Sequence, residues 1–427
     1  MLDTVVSLLR SADVYAWEVS DVLTDAWEFY MIRHALDQNR VRHVEHLTVK
    51  VYRLSEDGET MGSASCEVPP TASREEAKAL IESLSYRASL IKNKPYTLHQ
   101  PKPAVGASSR IQVDPEEISR TFLSTMRDLP ETPTEDVNSY EIFVASKKRC
   151  FLNSEGVDVA EAYPDSMIEV IVNARMPEHE IELYRNFKSG TCDATSLRRD
   201  VLRAMKTGRD RLSAVPTPAL GKADVIFSAA DACELYSYFA ARLDAAMIYR
   251  RMSTWELGKS ICPVFHGDAP SLSAVRELPN SSANRLFDAE GAPIRDLPLL
   301  ENGIARNYHG SRMFSAYLGL EDSFIPSNYV VEGGSRGESE LRQGPYLEVV
   351  EFSDFQVDAV AGDLFGEIRL AYWHDGEKTV AVSGGSISGS MLDLAGNMEL
   401  SSETVQYNNW RIPSVTLLRG VTVTGIA

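Results

Sequence analysis

The chain has 427 residues, 44% hydrophobic and 24% charged, the balance of a globular protein with room for two or three domains. Its 61 acidic against 43 basic residues leave a formal net charge of −18, which argues against non-specific nucleic-acid binding through a basic face. Met1–Asp21 has neither a basic start nor an unbroken apolar run, and no later stretch reaches the roughly 20 apolar residues that span a bilayer. Neither a signal peptide nor a membrane span is therefore expected, and the expected compartment is the cytoplasm.

Residues 1–20 suit a helix. Trp27–His34 is a run of aromatic and branched residues, and Val41–Leu54 alternates apolar with polar, so both read as strands. Gly58 sits in a turn leading to a strand over Met61–Val68. Ser73-Arg-Glu-Glu76 is a capping box that opens a helix to about Ile91. Residues 93–115, rich in Pro, Lys and Ser, read as an exposed connection. Asp114-Pro-Glu-Glu117 starts a helix to about Met126, and Pro130 and Pro133 break it. Strands are predicted over Ser139–Ala145, Lys148–Leu152, Met167–Asn173 and Ile181–Phe187, with a turn at Asn153–Gly156 and a helix over Thr195–Leu212. Together these make an N-terminal α/β domain over 1–215 with a mixed or antiparallel sheet, divisible into two units at the linker near 93–115.

From 216 to 427 a second domain is predicted. It opens on a short strand, Val225–Phe227, and a helix over 229–247. Ala232, Leu235, Tyr236, Phe239, Ala240, Leu243, Ala246 and Met247 fall on one face of that helix. Beyond 262 the chain becomes β-rich, with glycine turns and short strands at 346–352, 364–373, 378–383 and 415–423. A curved or barrel-like antiparallel sheet is the expected form, and the fold class is α+β. No repeat of 20–50 residues is visible.

Several constellations bear on chemistry. The five cysteines, Cys66, Cys150, Cys192, Cys233 and Cys262, are irregularly spaced, so a disulfide framework or a Cys-rich zinc site is not expected. His43 and His46 lie three apart in a predicted strand and so face opposite ways. A nucleophilic pair between Cys150, Cys192 or Cys262 and His179 or His266 has no local sequence support. Ser383-Gly-Gly-Ser-Ile-Ser-Gly389 lacks the Gly-Lys-Ser/Thr of a phosphate loop and reads first as tight turning within a curved sheet.

Three stretches resemble the TldD/PmbA family. Phe151-Leu-Asn-Ser-Glu-Gly-Val-Asp158 is similar to its Asn-Ser-x-Gly turn. Leu286-Phe-Asp-Ala-Glu-Gly-Ala-Pro293, followed by Leu300-Glu-Asn-Gly-Ile-Ala-Arg-Asn-Tyr308, is similar to its D-x-E-G-x-P and L-I-E-N-G segment. Pro413–Gly425 is similar to its closing strand. The three occur in the family's order over roughly 140–427. In the active TldD branch a helix before the second motif carries His-Glu-x-x-x-His, and a late Cys completes a zinc site. Here the corresponding helix reads Asp231-Ala-Cys-Glu-Leu-Tyr-Ser-Tyr238, which puts Cys233 and Tyr238 at the histidine positions and Glu234 at the general base. No histidine lies between His179 and His266, and no cysteine follows Cys262.

The resemblance therefore implies a TldE/PmbA-type subunit without catalytic or metal-binding residues of its own. Zinc is expected on a TldD-type partner that cleaves unfolded or leader peptides. An older family name is modulator of DNA gyrase, although the charge gives no reason to expect nucleic-acid contact. Asn153, Ser154, Gly384, Gly385 and Ser386 are the candidate peptide-cleft positions, with strand addition as the mode at the glycine-rich run. A stand-alone homodimeric peptide-binding protein is the alternative.

Overall fold

The computed structural model describes residues 1–103 and 113–426. The 104–112 part of the predicted connection lies outside the described residues. The N-terminal half is built on six antiparallel strands: β1 (Ala16–Ile32), β2 (Ala35–Leu54), β3 (Met61–Val68), β4 (Glu135–Asn153), β5 (Asp158–Met176) and β6 (His179–Ser189). They form one sheet in the order β3-β2-β1-β4-β5-β6. Four helices accompany it: α1 (Leu2–Ser11), α2 (Arg74–Ser89), α3 (Pro115–Arg127) and α4 (Ala194–Leu212). The order helix, three strands, helix thus occurs twice, with β1 and β4 paired at the centre.

Local chemistry sets these ends. Ser73 Oγ accepts from Glu76 N, and the Glu76 carboxylate accepts from Ser73 N, so the predicted capping box closes both ways. Asp114 caps α3 by accepting from Glu116 N, with Pro115 in the first turn. Val5, Leu9, Ile81 and Leu84 of α1 and α2 pack on Val19, Leu47 and Val49. Phe122, Met126 and Val201 of α3 and α4 pack on Ile142, Val144, Ile168 and Val170. Burying each such side chain contributes about 1.5–3 kcal/mol.

Two N-terminal expectations need correction. The first helix ends at Ser11, and Ala16–Ser20 already belongs to β1, where Trp17 and Val19 are buried. The two strands expected over 139–152 are one, β4. Ser146-Lys147, between the two expected strands, continues the ladder, and Lys147 pairs with Asp165 of the neighbouring strand.

In the C-terminal half, Gly221–Phe227, Tyr346–Val357, Asp363–His374, Ser386–Ser390 and Thr416–Thr424 close on one another as a five-strand barrel. One of its pairings, between Tyr346–Val357 and Gly221–Phe227, is parallel, so the sheet is not wholly antiparallel as expected. A second, six-stranded sheet holds the short strands Leu272–Val275, Leu297–Glu301, Ile304–Ala305, Asn328–Val331, Thr404–Tyr407 and Trp410–Pro413. One core joins barrel, second sheet and the helix α5 (Ala232–Arg242).

The helix expected over 229–247 is broken after Leu243. Asp244 caps a separate short helix, Ala245–Tyr249, by accepting from Ala246 N. The backbone at the break is held from outside: Ala245 N donates to His309 O, and the buried His309 Nε2 donates to Ala240 O. No helix among the described residues is long and apolar enough to cross a membrane.

Candidate functional site

α5 carries the three positions at which the resemblance expects degenerate ligands, Cys233, Glu234 and Tyr238. Cys233 packs against the C-terminal core, Glu234 is exposed and Tyr238 is buried. Tyr238 meets Trp255 edge-on, with ring centroids 6.0 Å apart. The buried Arg242 guanidinium lies 5.9 Å from the Tyr238 ring and 5.4 Å from the Trp255 ring. Its Nη1 donates to the carbonyls of Met252, Ala359 and Val360. This stack fills the side of α5 where Tyr238 sits. Burial raises the pKa of the Cys233 thiol and of the Tyr238 phenol, which favours the neutral forms over the anions that ligate metals.

The start of α5 faces the N-terminal half. Arg185 of β6 and Arg211 of α4 approach the buried Glu351 at 3.4 Å and 4.0 Å. Burial pushes the nearby Asp231 carboxyl up to about 6; Arg185 opposes the shift, while Glu351 and Glu234 add to it.

The remaining sequence candidates do not assemble into sites. His43 pairs with Asp25 at 2.6 Å and His46 with Glu67 at 2.7 Å, each with a neighbouring strand. All five cysteines are free, and none hydrogen-bonds a histidine among the described residues. Burial pushes the Cys192 thiol up to about 12.

Gly384-Gly385 corrects the expectation of a tight turn. Thr379–Ser383 and Ser386–Ser390 both pair with Asp363–His374, and the glycines form a bulge between them, with φ of 83° and 78°. A Cβ on Gly385 would lie 2.1 Å from Thr424 O, so only glycine fits. Ser386–Ser388 also pairs with Thr422–Thr424 on its other side, which leaves no free edge there for strand addition by a peptide.

The first two sequence motifs meet at the junction of the halves. Asn153 Oδ1 accepts from Glu155 N and Val157 N, and its Nδ2 donates to His99 O. Ser154 Oγ accepts from Trp17 N. The polar groups of Asn153 and Ser154 are thus engaged within the chain itself. Gly291, at φ 80°, lies against Phe151 and Val157; a Cβ there would come within 2.5 Å of the Phe151 ring. Asp288 Oδ1 accepts from Glu290 N and Ala292 N, and Oδ2 from Ile325 N. Glu290 accepts from Arg312 N at 2.6 Å, and the buried His99 Nε2 lies 3.9 Å from it.

Burial, with Asp288 adding, pushes the Glu290 carboxyl up to about 7, and burial beside Arg312 pulls the His99 imidazole down to about 4. His99, Asp288 and Glu290 are the one group of potential metal ligands that converges among the described residues. Sequence reasoning missed it. The two acids lay in a stretch quoted for its resemblance, and nothing local singled out His99.

Residues 220–425 match the PmbA/TldA metallopeptidase C-terminal domain, the half that contains α5, the Asp288–Pro293 turn and the closing strand. That half of the chain is a PmbA/TldD-family C-terminal domain. The metalloprotease PmbA homolog of Haemophilus influenzae is 28% identical over 194 residues, which cover 43% of this chain and 42% of that protein. The chain therefore spans about two fifths of that relative's length. The fold extends further. TldE from Thermococcus kodakarensis superposes with a TM-score of 0.78 at 15% identity, covering 100% of both chains. A candidate DNA gyrase modulator from Thermotoga maritima gives 0.79 at 16% identity, covering 99% of both. The PmbA/TldD architecture thus extends over the whole chain, including the six-stranded N-terminal sheet.

Proposed function

We propose that this chain is a non-catalytic, TldE-like subunit that works in the cytoplasm with a TldD-type zinc peptidase. The partner's metal hydrolyses unfolded or leader peptides, and this chain forms part of the wall of the chamber that holds them. The observation that carries the reading is the packing of α5. Its Tyr238 side chain is packed against Trp255 and Arg242, and Glu234 is exposed to solvent. A scaffold needs packing, whereas a metal site needs particular side chains, so the second can be lost while the first persists. The net charge of −18 supports peptide rather than DNA as the cargo.

Size-exclusion chromatography tests the assembly. The chain is purified alone and together with a family member that carries His-Glu-x-x-x-His. Co-elution in a fixed ratio is expected. A homodimer that ignores such a partner but binds an unstructured peptide would replace this reading with that of a stand-alone binding protein.

A further inference from the structure

We propose that His99, Asp288 and Glu290 form a binding site for a first-row divalent cation, with zinc the best-matched ion, that ties the 93–103 connection to the C-terminal half. This inference does not depend on the peptidase reading, and the site shares no residue with α5.

The geometry comes first. One donor atom from each residue lies within 4.8 Å of the other two. Ligands on a tetrahedral zinc at about 2.1 Å stand roughly 3.4 Å apart, so side-chain shifts of about 1 Å would close the site. His99 is only 7% exposed, and its Nε2 is buried with no hydrogen-bond partner among the described residues, facing the Glu290 carboxylate. A buried imidazole nitrogen without a partner is unfavourable, and a metal bond would satisfy it.

The carboxylates have capacity left. Asp288 uses three of its four lone pairs on backbone N–H groups, leaving one on Oδ2. Glu290 accepts from Arg312 N through Oε2, leaving Oε1. The backbone bonds fix both side chains in place, as outer partners do around metal sites.

Charge is the third argument. Two acids lie two residues apart at a half-closed position, and among the described residues neither has a Lys or Arg ion pair. The neighbouring cations are engaged elsewhere. The Arg312 guanidinium donates to Thr97 O and Leu320 O, Lys102 pairs with Asp322, and Arg149 pairs with Glu161. A divalent ion would supply the missing positive charge. An imidazole donor beside two carboxylates favours zinc and its first-row neighbours over magnesium or calcium, which prefer all-oxygen shells. The Glu290 side chain is 20% exposed, so the cluster meets solvent on that side.

The test uses the full chain, stripped with chelator and dialysed against zinc alone, with bound metal measured by mass spectrometry. Cobalt is titrated in parallel and followed by its visible absorption. One equivalent of zinc per chain is expected, together with a rise in thermal midpoint. His99→Ala and Glu290→Gln should each weaken binding at least tenfold, while Cys233→Ala and His43→Ala leave it unchanged. Circular dichroism checks the fold of each variant; should Glu290→Gln unfold, His99→Gln carries the test. Absence of stoichiometric zinc on the wild-type chain, or zinc that survives His99→Ala, overturns the proposal.

Discussion

Arg242 is the buried polar centre beside α5. It is almost fully buried, donates to three carbonyls and covers Tyr238 and Trp255 with its guanidinium. Removing the charge while keeping the bulk, as in Arg242→Met, leaves those carbonyls without their donor. Urea unfolding should show a loss of about 2–4 kcal/mol; a loss below about 0.5 kcal/mol would mean that the stack does not hold the helix. Asp231, at the start of α5, gives a pH signature. Its folded pKa of about 6 lies above the ordinary carboxylate range, so its ionised form destabilises the fold above pH 6, and that penalty is relieved as pH falls toward 4. Asp231→Asn should therefore be more stable than the parent by about 1–2 kcal/mol at pH 7.5, with the gap closing near pH 4. A constant gap across that range would contradict the assignment. Cys233, Glu234 and Tyr238 could be named in advance because they share one helix. The convergence of His99 with Asp288 could not, because it depends on how two distant segments cross.

The elements divide the same way. α2, α3 and β3 were legible because each has a cap, a proline or a glycine turn at its own boundary. The strands at Leu272–Val275, Asn328–Val331 and Thr404–Tyr407 were not, since four residues are too few to show a period. The break at Asp244 was hidden because His309, from another part of the chain, holds the backbone there. The Asp288–Pro293 turn is a rigid element of another kind, made by side chain-to-backbone bonds and by Gly291 against the Phe151 ring. Gly291→Ala combines a positive φ with a Cβ 2.5 Å from that ring. It should lower stability by about 2–4 kcal/mol, read as a fall of several degrees in thermal midpoint. An unchanged midpoint would show that the turn can move away from β4.

In the whole chain, two halves with separate cores meet across polar contacts. Arg149 and Glu161, paired and nearly buried on neighbouring strands, reach over to the Phe287 carbonyl and the Leu286 N–H. Arg149→Met strands Glu161 without its cation, and it should destabilise the junction by about 3–5 kcal/mol, with the first unfolding transition in calorimetry moving down. Polar junctions of this kind need specific partners, which explains why the order of elements was readable while the docking of the halves was not. The same architecture in proteins at 15–16% identity indicates that packing is retained where side chains are not. The deciding question for the pair is which subunit performs hydrolysis. Cleavage of an unstructured peptide should be measured with this chain alone, with a TldD-type partner, and with that partner after both zinc-binding histidines are changed to alanine. Cleavage is expected only in the intact pair, unaffected by Cys233→Ala in this chain. Cleavage by the isolated chain that disappears in Cys233→Ala would contradict that expectation.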